Sequence, residues 1–294
     1  MATGVQALED RQAAMNLRSA SHLVFAVTMI GVGLVGLLTG GFAVIWEPVP
    51  KTFPAREILP YLCAVIAIAS GAGMLSKRTR AAAALVLFLY LAVWTIMFRV
   101  PLVVRAPLVE GPYQNCGESA VLISAAWLLY GSVARDVRAN LKFLTGGPGL
   151  RAAQILYGLA LLAFGFSHFA YLNLTAPLVP KWLPWPVFWA YLTGTVYIAT
   201  GISIVIGLGA RVAADVAAVQ IALITGLVWG NLALAGPLSP VNRGETLDSW
   251  ALTAGAWVIA ASFDPRSSRG LIEAIRQAFS PGGGSVLPGR KARL

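Results

Sequence analysis

The feature that most constrains this chain is the alternation of long apolar runs with short clusters of charge. The runs lie at approximately residues 21–46, 58–76, 81–98, 119–134, 152–172, 187–207, 212–234 and 249–263. A helix needs roughly 17–25 residues to cross the hydrocarbon core of a bilayer. Because backbone polar groups in hydrocarbon must be satisfied within the segment, each run is predicted to be a helix. The chain is therefore predicted to be an all-α membrane protein with about eight transmembrane helices, the short fourth and eighth extending beyond their runs.

The basic residues indicate how these helices are oriented. The formal net charge is +10, which in a soluble protein would favour nucleic acid as a partner. Here 16 Lys and Arg residues fall on one side of the predicted membrane and six on the other. By the positive-inside bias, we expect both termini to be cytoplasmic in a bacterial inner (plasma) membrane. The predicted partner is the lipid bilayer, and no nucleic acid is expected.

The chain contains an internal repeat. The stretch 49–71 aligns without a gap with 179–201, at an offset of 130, and nine of the 23 positions are identical. The pairs that align further along the chain are Pro107 and Pro237, Glu118 and Asp248, Ser119 and Ser249, and Trp127 and Trp257. Four helices return the chain to its starting side, so the two units are predicted to face the same way as parallel four-helix-bundle repeats.

The repeat divides the chain into five predicted segments. A cytoplasmic leader covers 1–20, the first four-helix unit 21–134, a basic Gly-containing linker 135–151, the second unit 152–263, and an amphipathic segment with a basic tail 264–294. The apolar residues early in the last segment share one helical face, which is typical of a helix that lies in the membrane interface.

The second unit resembles the DoxX-like family of integral membrane proteins. The residues that carry the resemblance are GFSHF at 165–169, VPKWLP at 179–184, the pattern G-x-x-x-I-x-x-G from Gly194 to Gly201, and GLGAR at 207–211. The resemblance covers about 150–262, and 20–134 more faintly as a diverged copy.

The resemblance implies a four-helix bundle, and for some members a link to quinone-dependent sulfur oxidation or to a membrane redox assembly. Many members look to have a glutamate inside the second helix, where this chain has Tyr197 in one unit and Ala67 in the other. An intramembrane carboxylate would be a functional site by default, so its absence weakens the carry-over of redox or proton chemistry.

The two histidines and two cysteines form no metal or haem site by their placement. His22 and His168 lie at opposite levels of the predicted bundle, separated by about 30 Å of hydrocarbon, so they cannot share one iron. His168 is either a polar residue satisfied within the bundle or a ligand-binding residue. Cys63 and Cys116 lack metal-ligand spacing, and no metal site is predicted.

The remaining polar residues of the predicted spans gather on the outer side. Arg99 ends the third helix and needs a carboxylate partner, for which Glu118 is the candidate. Glu118 and Asp248 could simply cap the N-termini of the fourth and eighth helices. Alternatively, each unit has an outward-facing cavity, lined by His168, Asn231 and Asp248 in one unit and by Arg99 and Glu118 in the other.

Aromatic residues cluster at the same outer level. Tyr61 and Tyr191 occupy equivalent repeat positions and complete the candidate ligand-binding set. Aromatics at this level are typical interfacial anchors, although a quinone pocket would use similar residues. The tryptophans predicted as anchors are Trp46, Trp182, Trp185 and Trp189.

The sequence leaves three functional hypotheses open. No phosphate-binding Gly loop, HExxH motif or Ser/His/Asp set occurs, and we expect the protein not to be an enzyme on its own. The first hypothesis is an accessory subunit of a quinone-linked or redox membrane process, with no cofactor of its own except a candidate quinone. The second is a small-solute or lipid transporter. The third is a non-catalytic scaffold that binds a membrane or redox protein.

Overall fold

The computed structural model describes residues 2–134, 142–237 and 239–263, and every regular element in these ranges is helical. The helical segments long and apolar enough to cross a membrane are Ala20–Thr39, Arg80–Arg105, Gly111–Val133, Gly147–Ala170, Pro186–Ile206 and Ala210–Leu234. A shorter apolar helix spans Leu59–Leu75. The chain is therefore a helical bundle that fits an integral membrane protein in a lipid bilayer.

The elements of the first described range are α1 (Ala2–Thr39), a 3₁₀ turn (Val44–Trp46), α2 (Leu59–Leu75), α3 (Arg80–Trp94), a π-helical segment (Thr95–Arg99), α4 (Val100–Arg105) and α5 (Gly111–Val133). Those after it are α6 (Lys142–Thr145), α7 (Gly147–Ala170), α8 (Leu172–Thr175), a 3₁₀ turn (Ala176–Leu178), α9 (Pro186–Ile206), α10 (Ala210–Ile224), a second π-helical segment (Thr225–Gly230), α11 (Asn231–Ala235) and α12 (Pro240–Ser262).

The hydropathy predicted one helix over the first apolar run, to residue 46. The helix is shorter than that. α1 ends at Thr39, and Gly40 adopts a left-handed conformation with φ of 65°. A residue in this conformation commonly ends a helix because it takes the backbone out of the right-handed region. The chain then turns through Val44–Trp46 over the end of the bundle.

The predicted segment boundaries also shift. α1 runs from Ala2 into the first span, so the described part of the leader 1–20 is continuous with that span. α7 begins at Gly147, inside the predicted linker 135–151. The amphipathic segment and tail at 264–294 lie outside the described residues.

Two close helix crossings rely on glycine at aligned positions. A Cβ atom at Gly71 on α2 would lie 2.6 Å from the carbonyl oxygen of Ala26 on α1. A Cβ atom at Gly201 on α9 would lie 2.7 Å from the carbonyl oxygen of Gly158 on α7. Both distances are shorter than real Cβ contacts, so these helices approach closely only because the side chain is missing.

Two uncommon backbone features recur at the same offset of 130. Ala55 and Trp185 are the two non-glycine residues with positive φ, at 55° and 57°, within the described residues. The π-helical segments begin at Thr95 and Thr225. A left-handed non-glycine residue and a π-helical turn are both uncommon, so each recurrence is informative.

α5 is the central helix of the bundle. It packs against α3, α7 and α12, and all of its residues from Gly117 to Tyr130 are buried. α12 in turn packs against α1, α5 and α10. The upper end is defined here as the end at which α5 and α12 begin, and the lower end as the opposite one. α5 and α12 start ahead of their apolar runs, as expected from the shortness of those runs.

Candidate functional site

Arg99 is the most buried charged side chain at the upper end, with an exposed fraction of 1%. Its Nη1 atom lies 3.3 Å from Oε2 of Glu118 and also donates to the carbonyl oxygen of Asn115. Its Nε and Nη2 atoms donate to the carbonyl oxygens of Glu47 and Val44, each at 3.0 Å. The pairing of Arg99 with Glu118 was predicted from the sequence. A buried guanidinium needs such complete satisfaction because its desolvation is costly.

Aromatic rings pack together at the turn whose carbonyl groups Arg99 binds. The rings of Trp46 and Trp94 lie 5.7 Å apart, and those of Trp94 and Phe98 lie 4.6 Å apart. Trp94 Nε1 donates a 2.9 Å hydrogen bond to the carbonyl oxygen of Trp46. Trp46 is only 2% exposed, so its prediction as an interfacial anchor is wrong. The turn after α1 brings this ring into the core instead.

A cavity of about 510 Å³ opens at the upper end between α7, α9, α10 and α12, with α5 as its fifth wall. Its polar lining residues are Gln114, Glu118, Ser167, His168, Thr175, Thr193, Glu245, Asp248 and Ser249. Its aromatic lining residues are Phe164, Tyr171, Trp189, Tyr197 and Trp229. A largely apolar cavity of this size with a few convergent polar groups is typical of a small-molecule site. We refer to it as the upper cavity.

The two carboxylates that the sequence singled out both line the upper cavity. Asp248 is 4% exposed, and its Oδ1 atom has no hydrogen-bond partner among the described residues. α5 begins at Gly111 and α12 at Pro240, so Glu118 and Asp248 lie about two turns inside their helices. The helix-capping interpretation is therefore wrong. The cap of α12 is Ser239, whose Oγ accepts a backbone N–H.

His168 presents a hydrogen-bond acceptor to the upper cavity. Its Nδ1 atom lies 2.8 Å from the carbonyl oxygen of Phe164, which can only accept, so Nδ1 carries the hydrogen. The neutral ring then keeps Nε2 as an acceptor. The imidazole ring lies 5.6 Å from the ring of Tyr197. A ligand that donates a hydrogen bond could therefore be oriented at this corner.

Hydrogen bonds between helices hold the walls of the upper cavity in place. Ser167 Oγ on α7 donates to Gln114 Oε1 on α5. On the other wall, Thr225 Oγ1 lies 2.6 Å from Ser249 Oγ and 2.8 Å from Thr253 Oγ1. These contacts tie the second π-helical segment to α12 and α5 to α7, so the polar lining is positioned by packed helices rather than by loops.

The structure joins residues that the sequence had assigned to two cavities. His168 and Asp248 line the upper cavity together with Glu118, and Arg99 lies behind Glu118. The prediction that Glu118 belongs to a separate cavity is wrong, because α5 packs against α7 and α12 and presents Glu118 to the cavity that these helices bound. Asn231 is exposed and does not line the upper cavity.

The two tyrosines at equivalent repeat positions also lie outside the upper cavity. Tyr61 is 47% exposed and Tyr191 is 41% exposed. The Tyr191 ring lies 5.5 Å from that of Phe169. Both rings therefore lie on the outer surface of the bundle, where the sequence interpretation as interfacial anchors still applies.

Several cavity residues were missed from the sequence although their spacing carried a signal. Glu245 precedes Asp248 by three residues and Gln114 precedes Glu118 by four, so each pair shares a helical face. Tyr197 lines the upper cavity as well. Glu245 and Gln114 could have been predicted from their helical spacing to Asp248 and Glu118.

Glu110 lies just ahead of α5, four residues before Gln114. Both of its carboxylate oxygens are buried and have no hydrogen-bond partner among the described residues. Burial, and to a smaller extent the charge of Glu118, raises the pKa of Glu110 from its usual 4.5 to about 7. An acid that titrates near neutral pH therefore stands at the upper start of the helix that lines the cavity.

A second cavity, of about 530 Å³, lies at the lower end and is bounded by α1, α3, α5, α6, α7 and α12. His22 Nε2 lies 2.7 Å from the carbonyl oxygen of Met74, to which Arg80 Nε also donates. On the facing side, Gln154 Nε2 donates to Ser262 Oγ at 3.3 Å. The two histidines thus line different cavities at opposite ends of the bundle. We refer to this second cavity as the lower cavity.

Within the part of the chain that the structure describes, no group of three or more His, Cys, Asp or Glu side chains is arranged to hold a metal ion. In the comparisons with known proteins, no family model, curated protein or solved structure matches this chain. Any function for the upper cavity has therefore to be argued from the chemistry of its own residues.

Proposed function

We propose that this protein is a membrane carrier that binds a small solute in the upper cavity. The observation that carries the proposal is the pair of cavities at opposite ends of the bundle, both bounded by α5, α7 and α12. A carrier needs a site that can open to either side in turn, and packed helices shared by two cavities are the elements that can move between such states.

The upper cavity is the substrate site in this proposal. It combines an apolar and aromatic wall with Asp248, whose Oδ1 atom is unpartnered, and with the free Nε2 acceptor of His168. A buried polar atom without a partner costs free energy unless a ligand or water satisfies it. The lower cavity contains no Asp or Glu among its described lining residues, so the two ends would bind the solute unequally.

The carrier proposal includes the finer architecture predicted from the sequence. Eight spans, with α2 and α12 as the two beyond the six long apolar helices, would place both termini on one side, which the basic residues predict to be the cytoplasm. The upper end would then face outward. Support for a tandem duplication comes from the recurring left-handed residues, π-helical segments and glycine crossings at an offset of 130. A DoxX-like origin for each unit stays part of the proposal.

Cysteine labelling in proteoliposomes tests the carrier proposal. In a Cys116→Ser background, in which Cys63 is fully buried, Thr193→Cys reports on the upper cavity and Ser132→Cys on the lower one. We expect a membrane-impermeant maleimide to reach the two cysteines from opposite sides. Leu108→Cys, at a position 99% exposed at the upper end, is the control that should be labelled whenever the reagent is on the side that the upper cavity faces.

A double variant with both cavity cysteines separates a carrier from a channel. Reaction of the upper cysteine with a bulky maleimide should hold the upper end open and slow labelling of the lower cysteine, because a carrier does not open both ends together. Equal and independent labelling of both cysteines would contradict the carrier proposal. A Thr193→Cys variant that never reacts would contradict the assignment of the upper cavity as an open site.

A quinone-linked role is the second candidate, and one observation favours it. His168 offers an acceptor beside the rings of Tyr197 and Phe164, an arrangement that could bind a quinol hydroxyl and its ring. Native mass spectrometry of protein extracted in mild detergent would detect a retained quinone, and His168→Leu should lose it. A protein partner retained in place of quinone would favour the scaffold hypothesis instead.

A further inference from the structure

We propose that the solute of the upper cavity is a monovalent organic cation with an aromatic or apolar body, and that each cation bound releases one proton from the carboxyl groups of the cavity. This inference rests on the upper cavity being the substrate site of the carrier proposed above. It adds the class of solute and the ion that exchanges with it.

The charges around the cavity set the sign of the solute. Three carboxyl groups line it, those of Glu118, Glu245 and Asp248, and none of its described lining side chains is Lys or Arg. Arg99 neutralises Glu118 from behind through the 3.3 Å ion pair. The remaining two acids have no Lys or Arg side chain in the described lining, and the neutral ring of His168 adds no positive charge, so the cavity favours a positive charge.

Asp248 is the point at which the positive charge is expected to bind. The side chain lines the cavity with an exposed fraction of only 4%, and its Oδ1 atom is buried without a partner among the described residues. A carboxylate cannot remain ionised and unpaired in a site of this kind at acceptable cost. In the empty cavity a proton satisfies it, and in the loaded cavity the cation does.

The walls indicate an organic cation rather than a metal ion. The carboxyl groups and His168 do not form a metal-ligating group within the described residues. The rings of Trp189, Trp229 and Tyr197 line the cavity instead. Aromatic faces attract organic cations through cation–π interaction and bury the apolar body of such a ligand at the same time.

The exchange balances in charge and in protons. Asp248 enters as the neutral acid, its O–H bond breaks, the proton passes to water at the cavity mouth, and the carboxylate pairs with the cation. The other titratable and charged groups at the cavity are Glu118 with Arg99 behind it, Glu245 on α12, His168 on α7, Tyr171 directly after α7, and Tyr197 on α9. Of these, Glu245 lies on the same helical face as Asp248, three residues before it, and is the second acid of the cavity without an ion-pair partner.

The test uses the full chain in lipid nanodiscs and benzyltrimethylammonium chloride as the probe. Calorimetric titration in two buffers of different ionisation enthalpy gives both the dissociation constant and the number of protons released. We expect saturable binding with about one proton released per cation bound, and no saturable binding of benzenesulfonate, which has the same ring and the opposite charge.

Asp248→Asn removes the ionisable group and keeps the shape of the side chain. We expect it to weaken binding of the probe by about 10- to 100-fold, the typical value of a hydrogen bond or contact to a charged group. Asp215→Asn is the matched control, because Asp215 is an exposed carboxylate on α10 that pairs with Arg211 away from the cavity. Trp229→Leu should weaken binding of the cation without changing the number of protons released.

Each outcome decides the inference. Absence of saturable binding, equal binding of benzenesulfonate, or equal binding by the Asp248→Asn protein overturns the cation assignment. Binding without proton release overturns the exchange. Since wild-type protein alone gives the proton count, a variant that fails to fold does not prevent the test. The labelling of cysteines in the two cavities is measured without any ligand, so failure of this inference and failure of the carrier proposal are told apart.

Discussion

The first half of the bundle (residues 21–134) and the second half (152–263) have similar backbones at their upper ends. They differ in the side chains that occupy those ends. In the first half, Trp94, Phe98 and Arg99 occupy the end of α3 and its π-helical segment and pack under the turn that carries Trp46. This region is closed by aromatic rings and by a buried ion pair.

In the second half, the positions that align at an offset of 130 are Ile224, Val228 and Trp229, and all three line the upper cavity. The π-helical segment is present in both halves, so the backbone alone does not open the cavity. Side-chain volume and the path of the turn after the first helix of each half therefore decide whether the π-helical end becomes packed core or lines a cavity.

The largest loss of stability is expected from Arg99→Met, in the closed first half. It removes the guanidinium, leaves Glu118 buried without its partner, and releases the turn at Val44 and Glu47. Loss of one member of a buried pair costs about 3–5 kcal/mol, and we expect a loss of stability of this size in denaturant unfolding in detergent. Arg105→Met, at an exposed position, is the control with little effect. Equal stability of both variants would show that the first half is not held closed by this ion pair.

The glycine crossings test what the two halves share. Gly71→Ala and Gly201→Ala should each destabilise the protein by about 1–3 kcal/mol, because the new methyl group would lie 2.6–2.7 Å from a carbonyl oxygen. Gly31→Ala, in α1 with nothing within 4 Å of the added atom, should instead be neutral or stabilising by about 0.5–1 kcal/mol. A large cost in only one half would break the parallel between the two crossings.

Two aligned threonines should respond with opposite signs. Thr225 Oγ1 is bonded to Ser249 and Thr253, so Thr225→Val should destabilise the protein by about 1 kcal/mol. Thr95 Oγ1 is buried with no partner among the described residues, so Thr95→Val should be neutral or stabilising. The measurement is the change in the free energy of unfolding for each variant. Destabilisation by both substitutions would mean that the first π-helical segment also depends on its hydroxyl.

The smallest expected effect is a pH trend from Glu110. Its pKa is raised to about 7 by burial, so between pH 4.5 and 7 the folded state holds more protons at this position than the unfolded state. Stability therefore falls as pH rises through this interval. Glu110→Gln should flatten that part of the profile of melting temperature against pH. An unchanged profile would place the titration elsewhere. Glu57→Gln, at an exposed position outside the cavity, is the control.

Most helices of the fold could be predicted from the sequence, since the hydropathy of a run is a local property. The Arg99–Glu118 ion pair was also predictable, because a guanidinium at that depth requires a carboxylate. Asp248 and His168 were named as candidates and lie in the upper cavity, whereas Asn231, Tyr61 and Tyr191 do not line it. The end of the bundle at which a residue lies could be predicted from the sequence, but the direction in which it points around its helix could not.

The helices, the repeated sequence at an offset of 130 and the end of the bundle at which polar side chains gather could all be predicted from the sequence alone. These features follow from local hydropathy and spacing. Tertiary packing, in contrast, places Glu118 of α5 in the upper cavity and the ring of Trp46 in the core of the first half. Both outcomes depend on how distant segments pack against each other. That packing is set by the fit of side-chain volumes between helices, which no local pattern contains.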